Sequence, residues 1–158
     1  MRYFLVDKVT ELVPGERIRG LKCVSLSDEV LHDHFPDFPV LPGALIVEAA
    51  AQLAGFLLEA TFNRPDQSLV RALMVQINDA RFYETVGPGD TLDLVATLES
   101  RLEGAAQVGV EVRVGATRVA RAQLTFVMKT IDSERVHEQR RYVYRLWTRD
   151  LDPKITIL

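Results

Sequence analysis

Apolar and polar residues are distributed along this chain in sharply different ways from one stretch to the next. Residues 3–13, YFLVDKVTELV, and 17–26, RIRGLKCVSL, alternate or carry β-branched side chains and are joined by Pro14, Gly15 and Glu16, a turn-forming trio, so they predict two antiparallel strands. Residues 27–41 hold Pro36 and Pro39 among several polar side chains, and each proline biases its predecessor away from helix; a stiff extended loop is expected. Residues 42–62, PGALIVEAAAQLAGFLLEATF, are apolar nearly all round, with proline at the start where its missing N–H costs nothing, which predicts a helix buried on every side.

After the polar break NRPDQS at 63–68, four segments read as strands: 69–83, 91–101, 106–114 and 118–129. The turn signals GPGD, EGA and GAT between them leave room only for short connections, hence antiparallel neighbours. One long buried helix with five or six antiparallel strands makes an α+β domain whose sheet wraps its helix. Residues 130–158 differ in kind: Arg135, Arg140, Arg141, Arg145, Arg149 and Lys154 face Asp132, Glu134, Glu138, Asp150 and Asp152, with Tyr142, Tyr144 and Trp147 interleaved. The chain therefore divides into a domain over 1–129 and a charged extension over 130–158, the latter helical between Ser133 and Trp147.

Composition narrows the classes. At 158 residues and 47% hydrophobic, a single globular domain with a substantial core is expected. A net charge of −3, from 19 basic and 22 acidic residues, leaves no basic footprint for nucleic acid. Charges at Asp7 and Lys8 interrupt the amino-terminal segment before a signal-length apolar core forms, and no uninterrupted apolar run reaches membrane-spanning length, so a cytoplasmic chain with no membrane association is expected. Cys23, the single cysteine, is expected as a core residue of the second strand.

Two residues carry the chemistry. His34 stands on the proline-stiffened loop, and Glu48 stands in the second turn of the apolar helix that starts just after it. Val47, Ala49, Ala50 and Ala51 offer Glu48 almost no solvation, a setting that favours the protonated acid. Gly43, at the helix start, can present an unpaired backbone N–H to a carbonyl oxygen that becomes negative during reaction. Base, acid and carbonyl polariser are the parts needed to remove a proton α to a carbonyl and expel a β-hydroxyl as water. Gln52, at i+4 from Glu48, either supports that carboxyl or caps an unrelated backbone group.

The motif HFP..P.LPGALIVEAAAQ resembles the active-site signature of the β-hydroxyacyl-acyl-carrier-protein dehydratases of fatty acid synthesis. FLVDKVTELVPGERIRGLK is similar to that family's opening hairpin, and DARFYETVGPGDTLDLVATL to its proline-glycine-aspartate turn. The resemblance, over roughly residues 3 to 128, implies a hotdog fold, in which a curved antiparallel sheet wraps a long helix. It implies a homodimer with composite sites, histidine from one subunit and glutamate from the other, assembled further as a trimer of dimers. It implies a substrate carried on the pantetheine arm of acyl carrier protein, with no metal and no cofactor. On this carry-over His34 takes the α-proton, Glu48 handles the departing hydroxyl and the Gly43 amide holds the thioester oxygen; Phe35, Phe38 and Gln52 are candidate substrate contacts.

The chain departs from the family pattern at Asp33, Asp37 and Phe38, where glycine, glycine and often histidine are usual. Two carboxylates within reach of His34 would favour imidazolium. The tail after Lys129 matches no part of the family. A thioesterase on the same fold and a noncatalytic acyl-binding partner subunit are the alternatives. His32 and His34 could ligate a metal from one side of a strand, but the prolines oppose a strand and no nearby glutamate completes the set. Residues 81–83, Arg-Phe-Tyr, either line an acyl tunnel or simply pack, and the tail arginines suit a phosphate, a subunit contact or solvent.

Overall fold

The computed structural model describes residues 3–158, so the part of the amino-terminal reading that falls on Met1 and Arg2 lies outside the described residues. The alternating segments form six strands, β1 Lys8–Val13, β2 Arg17–Cys23, β3 Val70–Phe82, β4 Thr91–Leu102, β5 Ala105–Val114 and β6 Thr117–Thr130. They make one sheet in the order β1-β2-β4-β5-β6-β3, with every pairing antiparallel. The helix α1, Gly43–Phe62, lies in the curl of that sheet and touches β2 through β6. This is the hotdog arrangement.

Side-chain parity explains the wrapping. Leu92, Leu94 and Ala96 of β4, Val108, Val110 and Val112 of β5, and Ala122, Leu124 and Phe126 of β6 point inward at every second position. They close on Ala49, Leu53, Leu57 and Leu58 of α1, which are fully buried. By length and composition α1 could cross a bilayer, but 72% of its apolar window is buried inside the fold, which makes it the core helix. Gly20 allows β2 its close approach: a Cβ there would sit 2.8 Å from the Lys8 carbonyl oxygen and 3.0 Å from Leu53.

Three expectations change. Cys23 is exposed, because inward positions on β2 are Ile18, Gly20 and Lys22, and a one-residue step reverses the face. Residues 3–7 are not strand, although the Asp7 N–H donates to the Leu21 carbonyl of β2 at 2.8 Å, and β1 starts at Lys8. The helix α1 is also not buried all round, since Glu48 and Gln52 form a half-buried polar strip on an otherwise apolar surface. Pro42 precedes the helix as its cap, with Gly43 the first helical residue.

The tail helix forms as α2, Glu134–Trp147. It is amphipathic at helical spacing, and Val143, Tyr144 and Trp147 join the main core. Its seat is a buried polar network that the sequence reading missed. Arg71 of β3 donates through Nη1 to Glu59 Oε2 of α1 at 2.7 Å, with both side chains no more than 4% exposed. Tyr144 donates its hydroxyl to the same oxygen at 2.8 Å, and the Ala72 N–H reaches Oε1 at 3.2 Å. The remaining Arg71 nitrogens donate to His137 Nδ1 at 3.2 and 2.9 Å, and His137 Nε2 donates to the Ile131 carbonyl at 2.8 Å. Burial, and next the Glu59 carboxylate beside it, push the Tyr144 hydroxyl well above the usual phenol value.

A charge pair this dry is worth little against an apolar pair, but removing one member strands the other. Arg71→Met is therefore expected to lower stability by about 3–5 kcal/mol, whereas Arg17→Ala, which breaks the solvent-exposed Arg17–Glu11 pair, should leave stability almost unchanged. Urea unfolding of both variants at one protein concentration measures the difference, and equal losses would contradict the role assigned to the network.

Candidate active site

The loop that carries His34 is built by its prolines and by one left-handed residue. Phe35 and Phe38 exchange both backbone hydrogen bonds, at 2.9 and 3.0 Å, around Pro36 and Asp37. Pro36 presets one turn position and Asp37 takes the other at φ +62°, a region that glycine enters freely and aspartate tolerates better than most residues. The turn geometry is thus kept without the usual glycine. The loop is then sealed by the Val40 N–H donating to the His34 carbonyl at 2.7 Å and tied to the connection between β3 and β4 by the Leu41 N–H donating to the Val86 carbonyl at 2.7 Å.

These bonds fix the imidazole. His34 Nδ1 lies 2.7 Å from the Val40 carbonyl oxygen, which can only accept, so Nδ1 carries the hydrogen. In the neutral ring the lone pair then belongs to Nε2, the nitrogen with no partner in the chain among the described residues. The ring is half-buried and stacks on Phe35 at 4.3 Å. Asp33 and Asp37 make no bond to it, so the direct contact that the sequence raised is not formed. Phe35 and Phe38 stand out of the loop, 53% and 64% exposed.

Gly43 opens α1 directly after this loop. No acceptor in the chain takes its N–H among the described residues, and the Phe82 ring lies so close that a Cβ would sit 2.8 Å from Cε1 and Cζ. Phe82, read from the sequence as tunnel wall or plain packing, packs over the helix start.

Glu48 is held by Gln52, and the two alternatives for that glutamine are both realised. Gln52 Nε2 donates to Glu48 Oε1 at 2.9 Å and to the Tyr3 carbonyl at 3.2 Å, while Oε1 accepts the Leu5 N–H at 3.0 Å. Because a backbone N–H claims Oε1, the amide can present only its NH2 to Glu48. The Tyr3 hydroxyl is raised above the usual phenol value, first by desolvation and then by the Glu48 carboxylate. Glu48 and Gln52 line a groove of about 190 Å³ between α1, β3 and α2. His34 does not line it. One chain therefore supplies an imidazole on the loop and a carboxyl in the groove, each held by its own hydrogen bonds, and the imidazole does not line that groove.

Asp37→Val should cost about 1–2 kcal/mol, because a β-branched residue is strained at positive φ, while Asp37→Gly should be neutral or stabilising by up to about 1 kcal/mol. Chemical unfolding checks both, and an indifferent Asp37→Val would show that the turn does not depend on this backbone angle.

A family model described as the FabA-like domain matches residues 1–123. The 3-hydroxyacyl-[acyl-carrier-protein] dehydratase FabZ of Polynucleobacter asymbioticus is 38% identical over 128 residues, 81% of this chain and 84% of that protein. The protein of the same description from Thioalkalivibrio sulfidiphilus is 39% identical over 134 residues, covering 83% of this chain and 90% of its own. Among solved structures, a hot-dog-like protein from Thermanaerovibrio acidaminovorans superposes with a TM-score of 0.62 over 87% of this chain and 93% of its own, at 19% identity, a likeness of fold.

Proposed function

The chain belongs to the FabA-like family, and from that premise we propose that it removes water from a 3-hydroxyacyl thioester carried on acyl carrier protein, giving the trans-2-enoyl thioester. The observation that carries this reading is the His34 tautomer: the Val40 carbonyl takes Nδ1–H and leaves Nε2 with its lone pair available as a base. In this mechanism Nε2 takes the proton from the carbon α to the thioester carbonyl. The Gly43 N–H at the positive end of α1 stabilises the oxygen as it gains negative charge. Glu48, oriented by the Gln52 amide, gives its proton to the β-hydroxyl, which departs as water as the double bond forms. The imidazolium then returns a proton to the carboxylate through solvent.

The base and the acid belong to one site when two copies of the chain combine. The edge of β3 supports this assembly: among the described residues β3 pairs only with β6, and it runs for 13 residues and leaves Leu73, Val75 and Ile77 exposed at 45, 57 and 47%. An edge strand so long and apolar is an open template for another strand, and a twofold β3–β3 pairing satisfies it. Phe35 and Phe38 then face the second copy or the pantetheine arm. The compartment that fits the reaction is the cytoplasm, where acyl carrier protein delivers the substrate.

His34→Ala and Glu48→Gln are each expected to cut turnover by about 10²- to 10⁴-fold with the fold retained. The readout is the ultraviolet absorbance of the conjugated enoyl thioester, while release of free thiol would indicate hydrolysis instead. Wild-type rates in either variant would refute the assignment. Unfolding and refolding the two inactive variants together should restore about a quarter of wild-type activity, because half the dimers are mixed and each mixed dimer has one intact site of two. No recovery would mean that the two residues act within one chain.

A further inference from the structure

The groove that Glu48 opens into has a wall that the matched family region lacks. The family model stops at residue 123, and α2 begins at Glu134, yet Arg140 and Tyr144 of α2 line the same groove as Glu48 and Gln52. Between the two ends the floor is small and open. Ala51, Gly55 and Ala72 line it, and a Cβ built on Gly55 would find only the Ala72 Cβ, at 3.9 Å. Glu48 and Gly55 are seven positions apart on one helix face, so the floor runs for roughly 10 Å at 1.5 Å per residue before α2 crosses it.

The wall is rigid at Tyr144 and charged at Arg140. Tyr144 stacks on Phe56 with ring centroids 3.9 Å apart and planes within 10°, and its hydroxyl is bonded to buried Glu59 at 2.8 Å. It cannot swing aside without breaking both contacts. Arg140 is half-buried and shares the groove with the Glu48 and Glu59 carboxyl groups, yet among the described residues it makes no hydrogen bond or ion pair. A methyl-terminated chain that reached it would strip water from an unpaired guanidinium, which is costly.

We propose that Arg140 and Tyr144 set an upper limit on acyl length, so that this chain processes short 3-hydroxyacyl groups and rejects long ones. The inference rests on Glu48 acting on a 3-hydroxyacyl thioester. Each further methylene favours binding to a groove that can bury it; here the gain stops where α2 begins.

The test is a length series of acyl-carrier-protein thioesters from 3-hydroxybutyryl to 3-hydroxymyristoyl, with kcat and KM measured separately on the full chain. The wild type should lose about tenfold or more in kcat/KM between the two ends of the series. Arg140→Leu, at a side chain that α2 does not use to dock, should raise kcat/KM for the long substrates about tenfold, mainly through KM. Tyr144→Ala should extend the range further; a merely structural loss would lower all lengths together. A flat wild-type profile, or an unchanged profile in Arg140→Leu, overturns this inference and leaves the dehydratase reading standing. No enoyl product at any length removes the dehydratase reading, and this inference with it.

Discussion

Water reaches only the start, the end and one polar strip of α1, and that constraint shapes the rest of the molecule. A helix of twenty residues with so little polar surface must be enclosed, and the strands supply the enclosure by turning every second side chain inward. Enclosure has a consequence for chemistry. Any polar group left on α1 must be met by a specific partner, since solvent cannot stand in. Two carboxylates remain there, and the protein treats them oppositely: Glu59 is sealed with Arg71 and Tyr144, and Glu48 is left half-buried beside an oriented amide.

That contrast runs along a single helix. Glu59 has partners on both oxygens, two of them from side chains and one from the backbone, and nothing further to offer. Glu48 has one side-chain partner and an open groove before it. The half-buried setting lets the Gln52 amide orient the carboxyl while leaving it accessible. His34 shows the same economy on the loop: one nitrogen is committed to the Val40 carbonyl, and the other is free.

The second helix shows how an extension becomes part of a domain. On its outer side Arg141 pairs with Glu134, while Tyr144 and Trp147 pack around Phe56. The polar network through Arg71 and His137 fixes where the helix sits, because a buried donor tolerates few alternative positions. A helix so located is able to define the end of a groove that begins at Glu48.

The elements were legible in the residues alone wherever a period or a breaker dominated: the strands by alternation, the loop by Pro36 and Pro39, the start of α1 by the proline-glycine step. His34, Gly43, Glu48 and Gln52 were legible as a spaced motif. Cys23 was misplaced, because a strand's composition does not say which parity faces the core; that depends on partner strands distant in sequence. Glu59 passed unnoticed in the same apolar run that drew attention to Glu48, since its side-chain partners Arg71 and Tyr144 come from other elements, 12 and 85 positions away. Local order follows from short-range sterics and periodicity, whereas the compensation of a buried charge and the shape of a groove depend on which distant side chains share a volume, and only the folded chain decides that.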